Sequence, residues 1–294
     1  MRFSFLCLLI LSFHVADAQK IRKAVFIIVD GIPADVIEAV KTPNLDSIAK
    51  EGGYTRAYVG GERGGYSQTP TISAVGYNSL LTGTWVNKHN VWDNDIAAPN
   101  YQYWNIFRLF KTQFPSRTTA VFSTWLDNRT KLIGSEASAA GKLNPDFHYD
   151  GLELDTVRFP HGNTSEYIRR IDNEVADSAA KVIKEKGPDL TWVYLEYTDD
   201  MGHQYGDSEQ QRDAVVEADD QVGRIWRSIK HRAANYNEDW VIYITTDHGR
   251  DSVSGKHHGG QSERERTTWI VTNAKDLNEN FKKKPALVDI FPSL

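Results

Sequence analysis

Cysteine is almost missing from this chain, because only Cys7 occurs in 294 residues. The Ala16-Asp17-Ala18 segment satisfies the small-x-small rule for signal-peptide cleavage, so we expect Cys7 to be removed with residues 1–18. Without a thiol, a cysteine nucleophile and a thiolate metal site are both excluded. Any metal ion would have to bind to histidine, carboxylate or hydroxyl groups.

The chain also lacks a long hydrophobic run and a strong charge of one sign. The apolar stretch from Phe3 to Phe13 is shorter than the roughly 20 residues that span a bilayer. Because it follows the positive Arg2, it is typical of a secretory signal peptide, which predicts a secreted protein, extracellular or periplasmic, without a membrane span. The net charge of −5 provides no basic surface for nucleic acid.

Apolar, β-branched runs alternate with longer amphipathic stretches along the rest of the chain. Strands are predicted at 23–29, 54–59, 118–123, 190–196, 240–245 and 267–272, and helices at 71–83, 103–111, 165–186 and 208–231. This alternation predicts an α/β fold, with a doubly wound, mostly parallel sheet covered by helices on both faces.

We expect one catalytic domain over residues 19–294, with an inserted cap at about 95–165. The last residues, 291–294, resemble the start of a helix, so an incomplete C-terminus is compatible with the sequence.

Acidic residues and histidines follow three of the predicted strands. Asp30 follows the first strand, while Asp199 and Asp247 come after two later ones. Sites in such sheets form beyond the carboxyl ends of the strands, so these side chains are expected to converge. The full candidate set is Asp30, Asp199, His203, Asp247, His248 and His258.

Mixed imidazole and carboxylate ligands suit two divalent cations, with zinc preferred and manganese or iron also compatible. Two such ions can bind the attacking and leaving oxygens of an in-line displacement at phosphorus. The residues therefore predict phosphoryl chemistry.

At this point the chain resembles the alkaline phosphatase superfamily, and most closely its type I phosphodiesterase/nucleotide pyrophosphatase branch. The motifs that carry the resemblance are Val29-Asp30-Gly31, Asp199-x-x-Gly202-His203, Thr246-Asp247-His248-Gly249 and His258-Gly259. They occur in the order of the family along nearly the whole mature chain. The resemblance implies an alkaline-phosphatase-like fold and a metal-dependent hydrolase of phosphodiester or pyrophosphate bonds.

The resemblance also selects a nucleophile among the hydroxyl residues before the helix at 71–83. The spacing of the branch fits three downstream landmarks, which are Thr82-Gly83, His89 and Asp93-Asn94. That spacing holds only if Ser73 takes the place of the nucleophile, although Thr71 remains an alternative. Asn94 then matches the phosphate-oxygen donor of the family. Two departures are Ser73 where the branch has threonine, and Gly76 where it often has asparagine.

By the same resemblance, the candidate ligands divide into two metal sites. One metal would be held by Asp30, Ser73, Asp247 and His248, and the other by Asp199, His203 and His258. His258 is preferred to His257 because the ligand of the family directly precedes glycine. A metal-activated Ser73 would attack phosphorus and form a covalent phosphoseryl intermediate.

The resemblance implies a small phosphate-ester or nucleotide-like substrate. Three other functions compete with diester hydrolysis. A phosphomonoesterase of the same superfamily would need extra positive charge for the third charged oxygen, and only Arg63 or Lys88 could reach it. A catalytically silent binding protein on the same fold would be expected to lack a ligand, yet every expected position is filled. A sulfatase is disfavoured because the Cys/Ser-x-Pro-x-Arg motif is absent.

Overall fold

One seven-stranded sheet runs through the computed structural model, which describes residues 19–162 and 164–294. The predicted signal peptide at 1–18 lies outside the described residues. The strands are β1 Ile21–Val29, β2 Gly53–Tyr58, β3 Thr119–Ser123, β4 Phe147–Tyr149, β5 Leu190–Leu195, β6 Glu238–Thr245 and β7 Thr267–Thr272. The α-helices are α1 Ala34–Ala39, α2 Pro43–Glu51, α3 Ser73–Thr82, α4 Val86–His89, α5 Ile106–Gln113, α6 Glu166–Lys186, α7 Tyr197–Tyr205, α8 Glu209–Asn235 and α9 Glu263–Arg266.

The centre of the sheet is parallel and one edge is antiparallel. The strand order is β2-β7-β6-β1-β5-β3-β4. Strand β1 pairs in parallel with β5 and β6, and β3 extends the parallel part to β4. At the other edge, β7 runs antiparallel to both of its neighbours, β6 and β2. The prediction of a mostly parallel sheet is confirmed.

Both faces of the sheet are covered by helices, as the continuous apolar character of β1 indicates. Val25 and Ile27 point into one core, which includes apolar side chains of α2, α6 and α8. Phe26 and Ile28 point into the second core, formed with α3 and α5. Successive side chains of β1 therefore serve opposite faces, and none of these four is exposed to solvent.

The stretch at 95–165, expected to form an inserted cap, is partly sheet. Its segment Thr119–Ser123 is buried throughout and pairs with β5, and Phe147–Tyr149 then pairs with β3. A π-helical turn at Asn128–Ile133 connects toward the second of these strands. The chain ends in a short 3₁₀ helix, Leu287–Ser293. Within the described residues, no helix combines the length and apolarity needed to cross a membrane.

The helix α7 begins directly after β5 because a buried carboxylate receives its first N–H groups. Asp172 on α6 accepts hydrogen bonds from the backbone N–H of Glu196 and Tyr197, and from the hydroxyl of Thr124 at 2.5 Å. Burial raises the pKa of Asp172 to about 7, although these hydrogen bonds oppose the rise. Asp172 thus caps, from a neighbouring helix, the segment that carries two candidate ligands.

We expect Asp172→Ala to lower the free energy of unfolding by about 1–3 kcal/mol, because it leaves buried donors without an acceptor. Asp172→Asn, which keeps an acceptor oxygen, should lose less. Chemical denaturation measures both changes, with the exposed Asp213→Ala on α8 as a control that should change little. Equal effects of Asp172→Ala and Asp213→Ala would contradict the capping role.

Candidate metal centre

The candidate ligands meet at the carboxyl edge of three adjacent strands. Asp30 follows β1, Asp247 and His248 follow β6, and α7 leads Asp199 and His203 away from β5. Because β1 lies between β6 and β5 in parallel register, their ends open onto one place. The structure thus gathers residues that are distant in the sequence.

Asp199 and His203 differ from expectation in their local structure. They were expected at a strand end and in a turn, but both lie on α7, one helical turn apart. This spacing places both side chains on one helix face, with Asp199 Oδ2 at 3.2 Å from His203 Nε2. The capping of α7 by Asp172 is the reason that the chain turns directly into a helix here.

The first group of candidate ligands is Asp199, His203 and His258, whose ligand atoms lie within 4.8 Å of one another. His203 Nε2 is 3.0 Å from His258 Nε2. The neighbouring His257 is exposed, and its backbone N–H donates to Asp251. His258, and not His257, therefore belongs to the group that the structure assembles.

The second group is Asp30, Asp199 and His248, again within 4.8 Å. His248 Nε2 lies 3.4 Å from Asp30 Oδ1 and 3.3 Å from Asp247 Oδ2. Its distance to Asp199 Oδ1 is 3.9 Å. Asp199 is shared between the two groups, whereas the expected division gave it to one site only.

Both buried imidazoles are oriented by backbone carbonyls. His248 Nδ1 is 2.9 Å from the carbonyl oxygen of Gly249, and His258 Nδ1 is 2.9 Å from that of Thr71. A carbonyl can only accept, so Nδ1 carries the proton in each ring. The Nε2 lone pairs then face the carboxylates, which is the tautomer that a metal ligand requires.

Ser73 opens helix α3 beside the second group. Its Oγ lies 3.4 Å from His248 Nε2, and the next N–H of the helix, at Ala74, donates to Asn94 Oδ1 at 3.0 Å. Because the oxygen of Asn94 is occupied, its NH₂ group is the end of the amide left to donate. Ser73 and Asn94 thus lie together at one helix N-terminus.

Thr71 is engaged elsewhere. Its hydroxyl donates to the Gly260 carbonyl and accepts from the Gly259 N–H, each at 2.9 Å. The Thr71 carbonyl also accepts a hydrogen bond from His258 Nδ1, so Thr71 holds the loop that carries this histidine in place. The geometry therefore favours Ser73 over Thr71 as the free hydroxyl.

The site holds more negative charge than its protein surroundings compensate. Burial, reinforced by the charge of Asp199, raises the pKa of Asp30 to about 7. Burial and the charge of Asp30 hold the pKa of Asp247 well above its usual value. Burial also acts to raise the pKa of Asp199, but the hydrogen bond with His203 and the charge of Arg250 outweigh it and keep this pKa below the usual range.

Two carboxylate oxygens in the site show that a cation fits there. Asp30 Oδ1 and Asp247 Oδ2 are buried and have no hydrogen-bond donor among the described residues. Buried polar atoms in proteins are rarely left without a partner, and a bound ion is one of the recognised reasons. The oxygen and imidazole donors around them suit a divalent cation such as zinc.

Three residues of the site were not found from the sequence. Tyr77 on α3 and Tyr194 on β5 both donate their hydroxyls to Asp30 Oδ2, the latter at 2.7 Å. Arg250, two residues after His248, is fully buried and hydrogen bonds Asp199. The only signal for Arg250 was a charged residue directly after a strand-end motif, and the tyrosines gave none.

Two glycines of the motifs are explained by close approach. A Cβ on Gly202 would lie 2.2 Å from Arg250 Nε, so only glycine leaves space for this guanidinium against α7. A Cβ on Gly76 would lie 2.9 Å from both Cβ and O of Asp247. The asparagine that the branch often has at this position would require Asp247 to move.

We expect Asp247→Asn to raise the melting temperature of the metal-free protein, because it removes one of the buried like charges. Each kcal/mol of repulsion relieved should give about 2–4 °C. Zinc should raise the melting temperature of the wild type by more than that of the variant, which keeps only the group of Asp199, His203 and His258 intact. Thermal unfolding with chelator and with zinc measures both changes.

Asp239→Asn is the matched control, because Asp239 is exposed near the other end of the same strand, β6. It should change neither the melting temperature nor the response to zinc. A chelated Asp247→Asn protein that melts below the chelated wild type would contradict the argument from repulsion.

A mostly parallel sheet with a carboxylate–imidazole cluster at its carboxyl edge defines an alkaline-phosphatase-like protein. The family model for type I phosphodiesterase/nucleotide pyrophosphatase matches residues 24–292, and the chain belongs to this family. Among curated proteins, rat ectonucleotide pyrophosphatase/phosphodiesterase family member 7 is 27% identical over 249 residues, covering 81% of this chain and 52% of the relative. The chain spans about half the length of the curated relatives it matches first.

Solved structures share the fold. Human ectonucleotide pyrophosphatase/phosphodiesterase 5 has a TM-score of 0.63 at 14% identity, covering 92% of this chain and 93% of that chain. An inactive variant of the murine protein in complex with AMP has a TM-score of 0.52 at 18% identity, covering 78% and 57%. At these identities the likeness concerns the fold.

Proposed function

We propose that the protein is a two-metal hydrolase of phosphodiester or pyrophosphate bonds that uses Ser73 as its nucleophile. The observation that carries the proposal is the Ser73 hydroxyl, which lies 3.4 Å from Nε2 of His248, a member of the second ligand group. Membership of the phosphodiesterase family and the similarity to a rat phosphodiesterase support this class of reaction.

Two divalent cations, most simply zinc, would be held by the ligands of the two groups. Asp30, Ser73, Asp247 and His248 would hold one, and Asp199, His203 and His258 the other. When bound, such ions lower the pKa of a neighbouring hydroxyl and stabilise charge on phosphate oxygens.

Ser73 would attack phosphorus in line with the leaving oxygen. The Oγ–P bond forms as the bond from phosphorus to the leaving oxygen breaks, which gives a phosphoseryl ester and releases the first alcohol or phosphate product. Water then attacks the same phosphorus, the Oγ–P bond breaks, and Ser73 is restored. The overall reaction consumes one water molecule for each bond cleaved.

The protein would stabilise the reacting phosphate from the N-terminus of α3. The helix presents its N-terminal N–H groups beneath Ser73, where negative charge develops. Asn94, held by its oxygen on Ala74, is placed to donate its NH₂ group to a phosphate oxygen. His89 is fully buried and contacts Ser79 and the backbone N–H of Val91. It thereby holds in place the chain segment that leads to Asn94.

The charges around the site favour a diester over a monoester. Arg63 donates to the Gln261 carbonyl and lies 3.6 Å from Glu263, while Lys88 lies over the ring of Tyr103. Both cations that were considered for a third phosphate oxygen therefore have partners elsewhere. A nucleotide-like substrate is supported by the AMP complex of the murine relative, whose fold this chain shares.

Secretion is part of the same proposal. It rests on the signal-peptide pattern of residues 1–18, and the curated relatives are named as ectoenzymes. N-terminal sequencing of protein recovered from the medium of expressing eukaryotic cells, or from bacterial periplasm, tests it. A mature protein that starts near Gln19 is expected, and retention of Met1 would contradict the proposal.

We expect faster hydrolysis of p-nitrophenyl thymidine monophosphate and bis-p-nitrophenyl phosphate than of p-nitrophenyl phosphate. The monoester carries an additional charge for which the site offers no dedicated cation. Chelator should abolish all turnover, and zinc should restore it. Faster turnover of the monoester would favour the phosphomonoesterase, and no turnover of any ester with added metal would favour a silent binding protein.

We expect Ser73→Ala to lower kcat at least about 10³-fold, because the covalent route is lost. Ser73→Thr should keep substantial activity, since it preserves the hydroxyl. Acid quenching during turnover, followed by peptide mass spectrometry, should locate a phosphate on Ser73 in the wild type. A phosphate on Thr71, or full activity of Ser73→Ala, would contradict the assignment.

A further inference from the structure

Arg250 is a fully buried cation that the proposed chemistry does not use. Its Nη2 hydrogen bonds Asp199 Oδ1 and, at 2.5 Å, the Asp199 carbonyl. Its Nε donates to the Gly31 carbonyl at 3.1 Å, and Nη1 donates to the Lys256 carbonyl at 2.9 Å. A guanidinium with no exposed surface cannot contact substrate directly, so its role must act through these partners.

These partners lie in the segments that carry candidate ligands. Gly31 follows Asp30, Lys256 lies two residues before His258, and Arg250 itself lies two residues after His248. Together with Asp199 on α7, one side chain thus joins the ends of β1 and β6, the helix α7 and the His258 loop.

The two carboxylate oxygens of Asp199 have different partners. Oδ1 is hydrogen bonded by the guanidinium, whereas Oδ2 lies 3.2 Å from His203 Nε2. Oδ1 is 3.9 Å from both His248 Nε2 and His258 Nε2, so without Arg250 it could turn toward either group. Partners that orient a metal ligand in this way typically contribute about 10–100-fold to metal affinity.

We infer that Arg250 is a positioning residue that holds Asp199 with Oδ2 turned toward His203, and so makes the His203–His258 group a metal site distinct from that at His248. The inference rests on the proposed two-metal function. Gly202 is the matching feature on α7, because its missing side chain is what lets the guanidinium approach Asp199.

The positioning role and a simple effect of charge predict opposite results. If Arg250 only repelled cations, its removal would tighten metal binding. If it positions Asp199, its removal weakens binding at the His203–His258 group, typically by about 10–100-fold for an orienting partner of this kind. The sign of the change therefore decides between them.

The experiment measures binding of Zn²⁺ and Co²⁺ to the metal-free full chain, by competition with a chromophoric chelator and by the visible spectrum of Co²⁺. Arg250→Met should weaken one of the two binding steps by about 10–100-fold and alter the spectrum of the corresponding Co²⁺. Arg250→Lys keeps the charge but not the forked geometry, and it should lie between Arg250→Met and the wild type.

Arg232→Met is the matched control. Arg232 is also buried and pairs with Glu238, but Glu238 begins β6 at the opposite end of the strand from the site. The control should melt at a lower temperature and bind metal as the wild type does. It thus separates a general loss of stability from a local effect on Asp199.

The outcomes distinguish the inference from the function on which it rests. If the wild type binds no metal, the two-metal function fails. If the wild type binds two ions and Arg250→Met binds them equally or more tightly, only the positioning role fails. If Arg250→Met is unfolded, Arg250→Lys decides, and wild-type affinity and spectrum in that folded variant would overturn the inference.

Discussion

The constraint on which this structure depends is the burial of three carboxylates in one place. The parallel strands β1 and β6 and the helix after β5 open onto the same edge, so Asp30, Asp247 and Asp199 meet there. Like charges in a poorly solvated site repel strongly. Tyrosine hydroxyls and Arg250 offset part of this repulsion, but two oxygens keep no donor among the described residues. The fold thus gathers groups that could hold a metal ion, at a cost in its own stability.

The surrounding hydrogen bonds show how the fold bears this cost. Backbone carbonyls fix the protonated nitrogen of His248 and His258, so the other nitrogen of each ring faces inward. Asp172 fastens the start of α7 from α6. Because several candidate ligands are oriented by groups outside the cluster, the arrangement does not depend on the flexible side chains alone.

Much of the sheet and most of the site residues could be predicted from the sequence, for identifiable reasons. Asp30 and Asp247 follow strongly apolar strands, and the carboxyl ends of parallel strands always share an edge. Helix α7 was missed because it is short and largely polar, and its start depends on Asp172, a contact distant in sequence. Strand β3 was predicted at 118–123, but β4 was hidden for a similar reason, since only its pairing with β3 identifies it as sheet.

Thr71 has a consequence for how such a protein can diversify. Its carbonyl fixes His258, its hydroxyl fixes the following glycines, and Ser73 lies two residues further along the chain. A shift of the backbone at Ser73 would therefore also displace His258, a candidate ligand of the other group. A change in substrate preference is therefore expected first in segments that carry neither Ser73, Asn94 nor a candidate ligand.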